Sequence, residues 1–184
     1  MKRICTLIAL MALAGPVWAD EEAANAPYVA VDASGRCYAK SVPVDSYGSG
    51  GTTRVYRVTG GADTLLETYP WYSQRIYLQC NTPGVKGGVS IVQFGPWARG
   101  RQATTNQLAV AFHANGRLLR SYSTLDIAGS PGNVAASVSH YQVFQAVEGY
   151  VYESATSTLF RLTTTDGRQL TFDPATGGLL STRR

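Results

Sequence analysis

Histidine, methionine and cysteine are scarce in this chain of 184 residues, with two, two and three copies respectively. So few His and Cys leave little from which to build a metal centre, and no Cys-x-x-Cys pair points to zinc or redox chemistry. Charged residues make up only 15% of the sequence. Beyond the leader no segment approaches the roughly 18 consecutive apolar residues of a membrane-spanning helix, so no membrane insertion is expected. A sustained apolar stripe at helical spacing is missing too, apart from one turn around 124–128. There is no Gly-x-Ser-x-Gly nucleophile elbow. Metalloenzyme, helical-bundle and serine-hydrolase classes are thereby disfavoured, and no cofactor or metal is expected.

The opening residues read as a signal peptide spanning 1–19. Lys2 and Arg3 form its charged end, Ile4 to Ala14 its apolar stretch, and Val17, Trp18 and Ala19 its small-residue cleavage site. Cys5 lacks the context of a lipidated cysteine, so the expected product begins at Asp20 and is periplasmic or secreted. Losing Lys2 and Arg3 lowers the basic count from 16 to 14 against 12 acidic residues, a net charge of +2. That balance gives no argument for nucleic acid as a partner. Residues 20–27 are small and polar and read as a flexible N-terminal segment, and 28–184 as a single domain large enough for a real core.

Nineteen glycines and eleven tyrosines indicate a β protein with many tight turns. Apolar residues alternate with polar ones almost continuously from Tyr28 onward. In Gln107 to His113, Leu108, Val110 and Phe112 fall on one face and Ala109, Ala111 and His113 on the other, the pattern of a half-buried strand with a solvated His113. Asn115-Gly116 and Asp166-Gly167 are strong hairpin turns. Three return strands also share a phrase: Leu65-Leu66, Leu118-Leu119 and Leu179-Leu180 each come after a strand and a turn. The double leucines recur after 53 and 61 residues, with about four strands per interval. This spacing predicts an all-β antiparallel meander of about three blade-like sheets, propeller-like or prism-like, with a β-sandwich or barrel as the alternative. Val147 to Thr158 has no clear assignment.

After cleavage only Cys37 and Cys80 remain, in an oxidising compartment, and both share strand faces with apolar neighbours. They are expected to form a disulfide.

The segments Gly116 to Tyr141 and Thr164 to Leu180 resemble a class of small exported bacterial proteins without an assigned activity. The resemblance implies the β fold and carries over no catalytic or binding residues.

Candidate chemistry is thin. Ser139, His140 and Asp126 supply the parts of a nucleophilic site. However, neighbours on a strand point to opposite faces, which makes Ser139 and His140 poor partners. Asp32, Asp63, Asp166 and Asp173 sit where turns favour Asp for its backbone-capping carboxylate. The strongest recognition candidate is Phe94 to Gln102, which places Trp97 beside Arg99 and Arg101 in a loop bracketed by Gly95 and Gly100. A second aromatic loop contains Trp71 and Tyr72. The plainer reading of either tryptophan is a plug at the end of a β core, more so for Trp71 than for Trp97.

The sequence therefore favours an exported binding or interaction module acting on an envelope glycan or protein. Two alternatives stand beside it: a periplasmic hydrolase using Asp126 and His140, and a structural or inhibitory protein acting through a sheet edge. Exposed Trp97 and Trp71 on one face favour the binder, whereas Asp126 in reach of His140 favours the enzyme.

Overall fold

The computed structural model describes residues 22–154 and 156–184. The expected signal peptide 1–19 lies outside the described residues. Four strands open the fold: β1 (Tyr28–Val31), β2 (Cys37–Pro43), β3 (Gly51–Arg57) and β4 (Thr64–Tyr69), hydrogen-bonded in that order. Next come β5 (Ile76–Gln79), β6 (Ser90–Phe94), the two-residue β7 (Ala98–Arg99), β8 (Leu108–Ala114) and β9 (Arg117–Ser123). Of these, β5, β6, β8 and β9 form a second four-stranded sheet. The helix α1 (Thr124–Ala128) leads to β10 (Ala135–Ala136) and β11 (His140–Gln142), which join β7 in a small three-stranded sheet. The final meander is β12 (Phe144–Ser154), β13 (Ser157–Thr164), β14 (Gln169–Asp173) and β15 (Gly178–Arg183). All strand pairs are antiparallel, so the described chain is all-β apart from α1. None of the four sheets closes into a barrel. Val147 to Ser154 lies in β12 and Ser157 to Thr158 in β13, where register shifts near Ala146, Gly149 and Tyr152 blur the alternation that marks a strand in sequence.

The repeated leucine phrase has a structural counterpart. In the first meander Tyr56 faces Leu65 and Val55 faces Glu67, which leaves Leu66 as an extra residue. In the second, His113 faces Leu118 and Phe112 faces Arg120, leaving Leu119. In the third, Phe172 faces Leu179 and Thr171 faces Ser181, leaving Leu180. Each second leucine is therefore the inserted residue of a β-bulge, one position past the second cross-strand pair after the turn. A bulge bends its strand and increases the local twist, so the same bend is placed on the outermost strand of all three meanders.

Two clusters form the core, one on either side of the second meander. Val92, Phe94 and Phe112 pack with Phe160, Leu162, Leu170 and Phe172 of the third. Ile76, Leu78 and Ile91 pack with Ala30, Cys37, Ala39 and Val55 of the first. The inner strands β6 and β8 are consequently buried on both faces. Gly177 marks how tightly the third meander sits on the second. It has a left-handed φ of 71°, and a Cβ there would fall 2.9 Å from Arg120 Cβ and 3.0 Å from Phe112 Cβ.

His113 is corrected by this arrangement: it is buried, not solvated, because the face of β8 that alternation assigned to water is covered by the first meander. Its ring lies 5.3 Å from Tyr69 and 5.1 Å from Trp71, and its Nε2 is 3.1 Å from Gln93 Oε1. Burial lowers its pKa to about 4.

The disulfide joins Cys37, at the start of β2, to Cys80, just past β5, with Cα atoms 6.4 Å apart. It ties the first meander to the second within the cluster they share. Arg168 makes a comparable link between the third meander and α1. Its Nη2 donates to the carbonyls of Ile127 (2.9 Å) and Ala128 (2.6 Å), supplying acceptors of the helix end with donors.

Replacing Cys37 and Cys80 together by serine is expected to lower stability by about 4 kcal/mol, the loop-entropy value for a separation of this size. Urea unfolding of the oxidised protein and the double variant measures it. His113 adds an acid sensitivity. Its folded pKa is depressed, so its contribution is complete above about pH 6.5 and is lost as pH falls towards about 4, where the unfolded chain takes up the proton first. Melting temperatures at pH 7 and pH 4.5 should drop less between the two conditions in His113→Gln than in the parent.

Candidate functional site

The loop after β6 is held close to the sheet by one residue. A Cβ at Gly95 would lie 1.9 Å from the carbonyl oxygen of Leu108, and the Gly95 amide donates to Ala109 O at 3.1 Å. Only glycine fits there, and the chain then turns outward through Pro96 and Trp97. Pairing of β7 with β11 fixes the next two residues, with Arg99 opposite His140 and Ala98 opposite Tyr141. The Gly100 amide donates to Ser139 O at 2.8 Å and continues that ladder. Gln107 Nε2 donates to Arg99 O at 2.8 Å, and its Oε1 accepts from the Tyr141 hydroxyl at 2.7 Å. Arg99 thus stands on a braced strand pair, and Trp97 directly precedes it.

Trp97 is 54% exposed. Its ring leans on the imidazole of His140, with centroids 5.1 Å apart and planes at 47°. The His140 Nδ1 lies 2.8 Å from Ser139 Oγ. That contact corrects the expectation that the two make poor partners: Ser139 precedes β11, so the alternation of side chains along a strand does not govern it. On the far side of the ring, Nε2 is 3.6 Å from a carboxylate oxygen of Glu22. The same oxygen accepts from Arg99 Nη2 at 2.7 Å and Nε at 3.2 Å. Arg99 and His140, opposite one another across the strand pair, therefore address a single carboxylate.

Below these groups lies a cavity of about 420 Å³. Its apolar lining includes Phe94, Leu108, Val143 and Phe144, and polar groups at its edge come from Glu22, Asn25, Arg75 and Tyr141. The Arg75 guanidinium sits 4.7 Å from the centroid of the Phe94 ring. An apolar chamber with a few placed polar groups is the form small-ligand and peptide sites take.

Residues 22–27, read from the sequence as a flexible lead-in, make specific contacts across this region. Asn25 Nδ2 donates to Asp45 O and Gly48 O, both at 3.0 Å, and its amide donates to Ser46 O at 2.7 Å. Tyr72 donates its hydroxyl to Ala26 O at 2.6 Å.

The remaining candidates divide. Trp71 is 8% exposed and packs beside Tyr69 and His113, so it is a core plug on the opposite face of the second meander from Phe94. It lines a separate apolar cavity of about 450 Å³ with Tyr69, His113 and Leu118. Tyr72 is buried but lines the cavity below Trp97. Arg101 is exposed. Asp126 is the third residue of α1 and closes a capping box, accepting from the Ser123 amide at 2.8 Å and the Ser123 hydroxyl at 2.7 Å. Its carboxylate is committed to the helix start. Asp32, Asp63 and Asp173 accept from turn backbone amides, as expected, whereas the Asp166 carboxylate accepts from the Thr164 hydroxyl and from Arg168 Nε.

Glu22, Arg75 and Tyr141 escaped the sequence reading. Glu22 lies in a segment with no pattern, and Arg75 and Tyr141 look like ordinary strand residues. Their proximity comes from packing between elements. The chain matches no protein-family model, no curated protein and no solved structure. No helix among the described residues is long and apolar enough to cross a membrane.

The two tryptophans should respond in opposite ways to truncation. Trp71→Ala is expected to cost about 3–5 kcal/mol, as for a buried aromatic, while Trp97→Ala stays within about 1 kcal/mol of the parent, being largely exposed. Chemical denaturation of both variants tests this.

Proposed function

We propose that the protein is an exported binding module of the cell envelope whose recognition surface is Trp97 and Arg99 together with the cavity beneath them. The observation that carries this reading is a large aromatic ring, more than half exposed and braced from behind by His140, standing over an apolar chamber. Exposed tryptophan beside arginine is a pairing enriched where binding energy concentrates. The rigid strand pair beneath reduces the ordering cost of binding. The partner is an envelope glycan or protein, and export fits with a buried disulfide.

The three meanders form, in this reading, an open fan of three propeller-like blades, with the site between the second and third. Support comes from the shared strand order and the shared bulge. Those bulges also weigh against recognition through the edges of β4, β9 and β15, because a bulged and twisted edge pairs poorly with an added strand. The Asp126 and His140 hydrolase gains no support from the capping role of Asp126.

Immobilised protein from Asp20 onward is expected to retain material from a solubilised envelope extract, or to co-sediment with purified peptidoglycan. Trp97→Ala should reduce that retention by roughly thirtyfold, the effect of losing a hot spot worth about 2 kcal/mol. Retention unchanged in Trp97→Ala and in Arg99→Ala defeats the proposal.

A further inference from the structure

The cavity beneath Trp97 is partly covered by the chain itself. Glu22, Ala23 and Asn25 contribute to its lining. The covering segment makes polar contacts: Glu22 to Arg99, Asn25 to the 45–48 loop, and Ala26 to the Tyr72 hydroxyl. Gln74 Nε2 adds a bond to Asn25 Oδ1 at 3.3 Å. Its alanines, Ala23, Ala24 and Ala26, are all exposed. A segment with almost no apolar anchor sits at the low-stability end of local opening.

The charges on the two sides are complementary. Arg75 lines the cavity, Arg99 and His140 flank it, and the carboxylate that Arg99 and His140 face belongs to a short peptide segment, residues 22–27, outside any helix or strand. An arginine facing a carboxylate suits directional recognition by paired N–H donors, and Arg99 uses both Nε and Nη2 on Glu22.

We propose that this cavity is a binding site for an extended acidic peptide, and that the Glu22–Ala26 segment occupies it as a built-in competitor that a ligand must displace. The inference rests on reading the Trp97 surface as a binding face and names the chemistry of its ligand. An incoming carboxylate takes the place of Glu22 on Arg99, while its neighbouring side chains reach the apolar lining. Because the competitor is tethered, apparent affinity is the intrinsic affinity multiplied by the fraction of molecules in which the segment is displaced, so loosening the segment strengthens binding.

The test uses the protein from Asp20 onward and a blocked synthetic peptide with the sequence of residues 20–27, monitored by calorimetry and by the emission of Trp97, with Trp71 as the buried constant. Glu22→Gln combined with Asn25→Ala loosens the segment by removing the polar contacts that hold it. The loosened protein should bind the peptide about tenfold more tightly than the parent. Adding Arg99→Ala should abolish that binding, and a peptide with Gln in place of its third residue should bind no better than the background. Equal affinity in parent and loosened protein, binding that survives Arg99→Ala, or no binding at all overturns the inference. Binding of polygalacturonate in place of the peptide overturns it as well. If peptide binding fails while envelope retention still depends on Trp97, only the peptide site and its competitor fall. If retention is also indifferent to Trp97, the underlying reading falls with them. Should the triple variant unfold, Arg99→Lys in the loosened background serves instead, and a loss of at least about tenfold is expected because lysine cannot pair with the carboxylate through two donors.

Discussion

Burial of both faces of β6 and β8 is the constraint on which the molecule turns. An antiparallel sheet ordinarily keeps one wet face. Here Val92, Phe94 and Phe112 meet the third meander while Ile91 and His113 meet the first. The outer meanders contribute one covered face each and leave the other to solvent, so neither has a comparable core alone. The disulfide reinforces one of these two contacts. Hydrogen bonds such as Tyr122 to the Gly177 carbonyl and Tyr150 to Ser90 accompany the other. A histidine can sit in such a place only as a neutral group, which is why His113 is pushed down to about 4.

Packing of this kind also makes the site. Tight seating of Gly95 against Leu108 forces the chain outward, and the β7–β11 pair then holds Trp97, Arg99 and His140 at the end of the second meander. The chamber below them is lined by Phe94 of β6, Leu108 of β8 and Phe144 at the start of the third meander. Its polar rim comes from segments distant in sequence: Glu22, Arg75 and Tyr141. Arg99 and His140 thus stand on paired strands beside the core, while the segment 22–26 is fastened through polar contacts.

The hairpin phrase illustrates how local sequence can carry geometry without chemistry. Leu66, Leu119 and Leu180 are each the inserted residue of a bulge, and the second leucine of each pair is half-exposed or exposed. The duplication therefore encodes a bend in an outer strand, and Leu66 also packs against the core cluster shared by the first and second meanders. Bulges are a recognised device for blunting edges, and three equivalent ones leave three outer strands poorly suited to pairing with another chain.

Strand type, turn positions, the Cys37–Cys80 pair, α1 and the fourfold grouping of strands in each meander were legible because each depends on alternation, on turn residues or on simple counting. Trp97 and Arg99 were legible for a similar reason, standing out as aromatic and cationic residues between two glycines. The sequence could not distinguish Trp71 from Trp97, since burial depends on which sheet covers which loop. Nor could it show that His113 lies under the first meander, or that Ser139 reaches His140 from outside the strand. Glu22 is the clearest case. Nothing within Asp20 to Pro27 marks it, and its meeting with Arg99 and His140 joins residues more than seventy positions apart. Local periodicity determined the elements of this protein by itself, whereas the faces they cover and the site they enclose were decided by long-range packing, which no local pattern records.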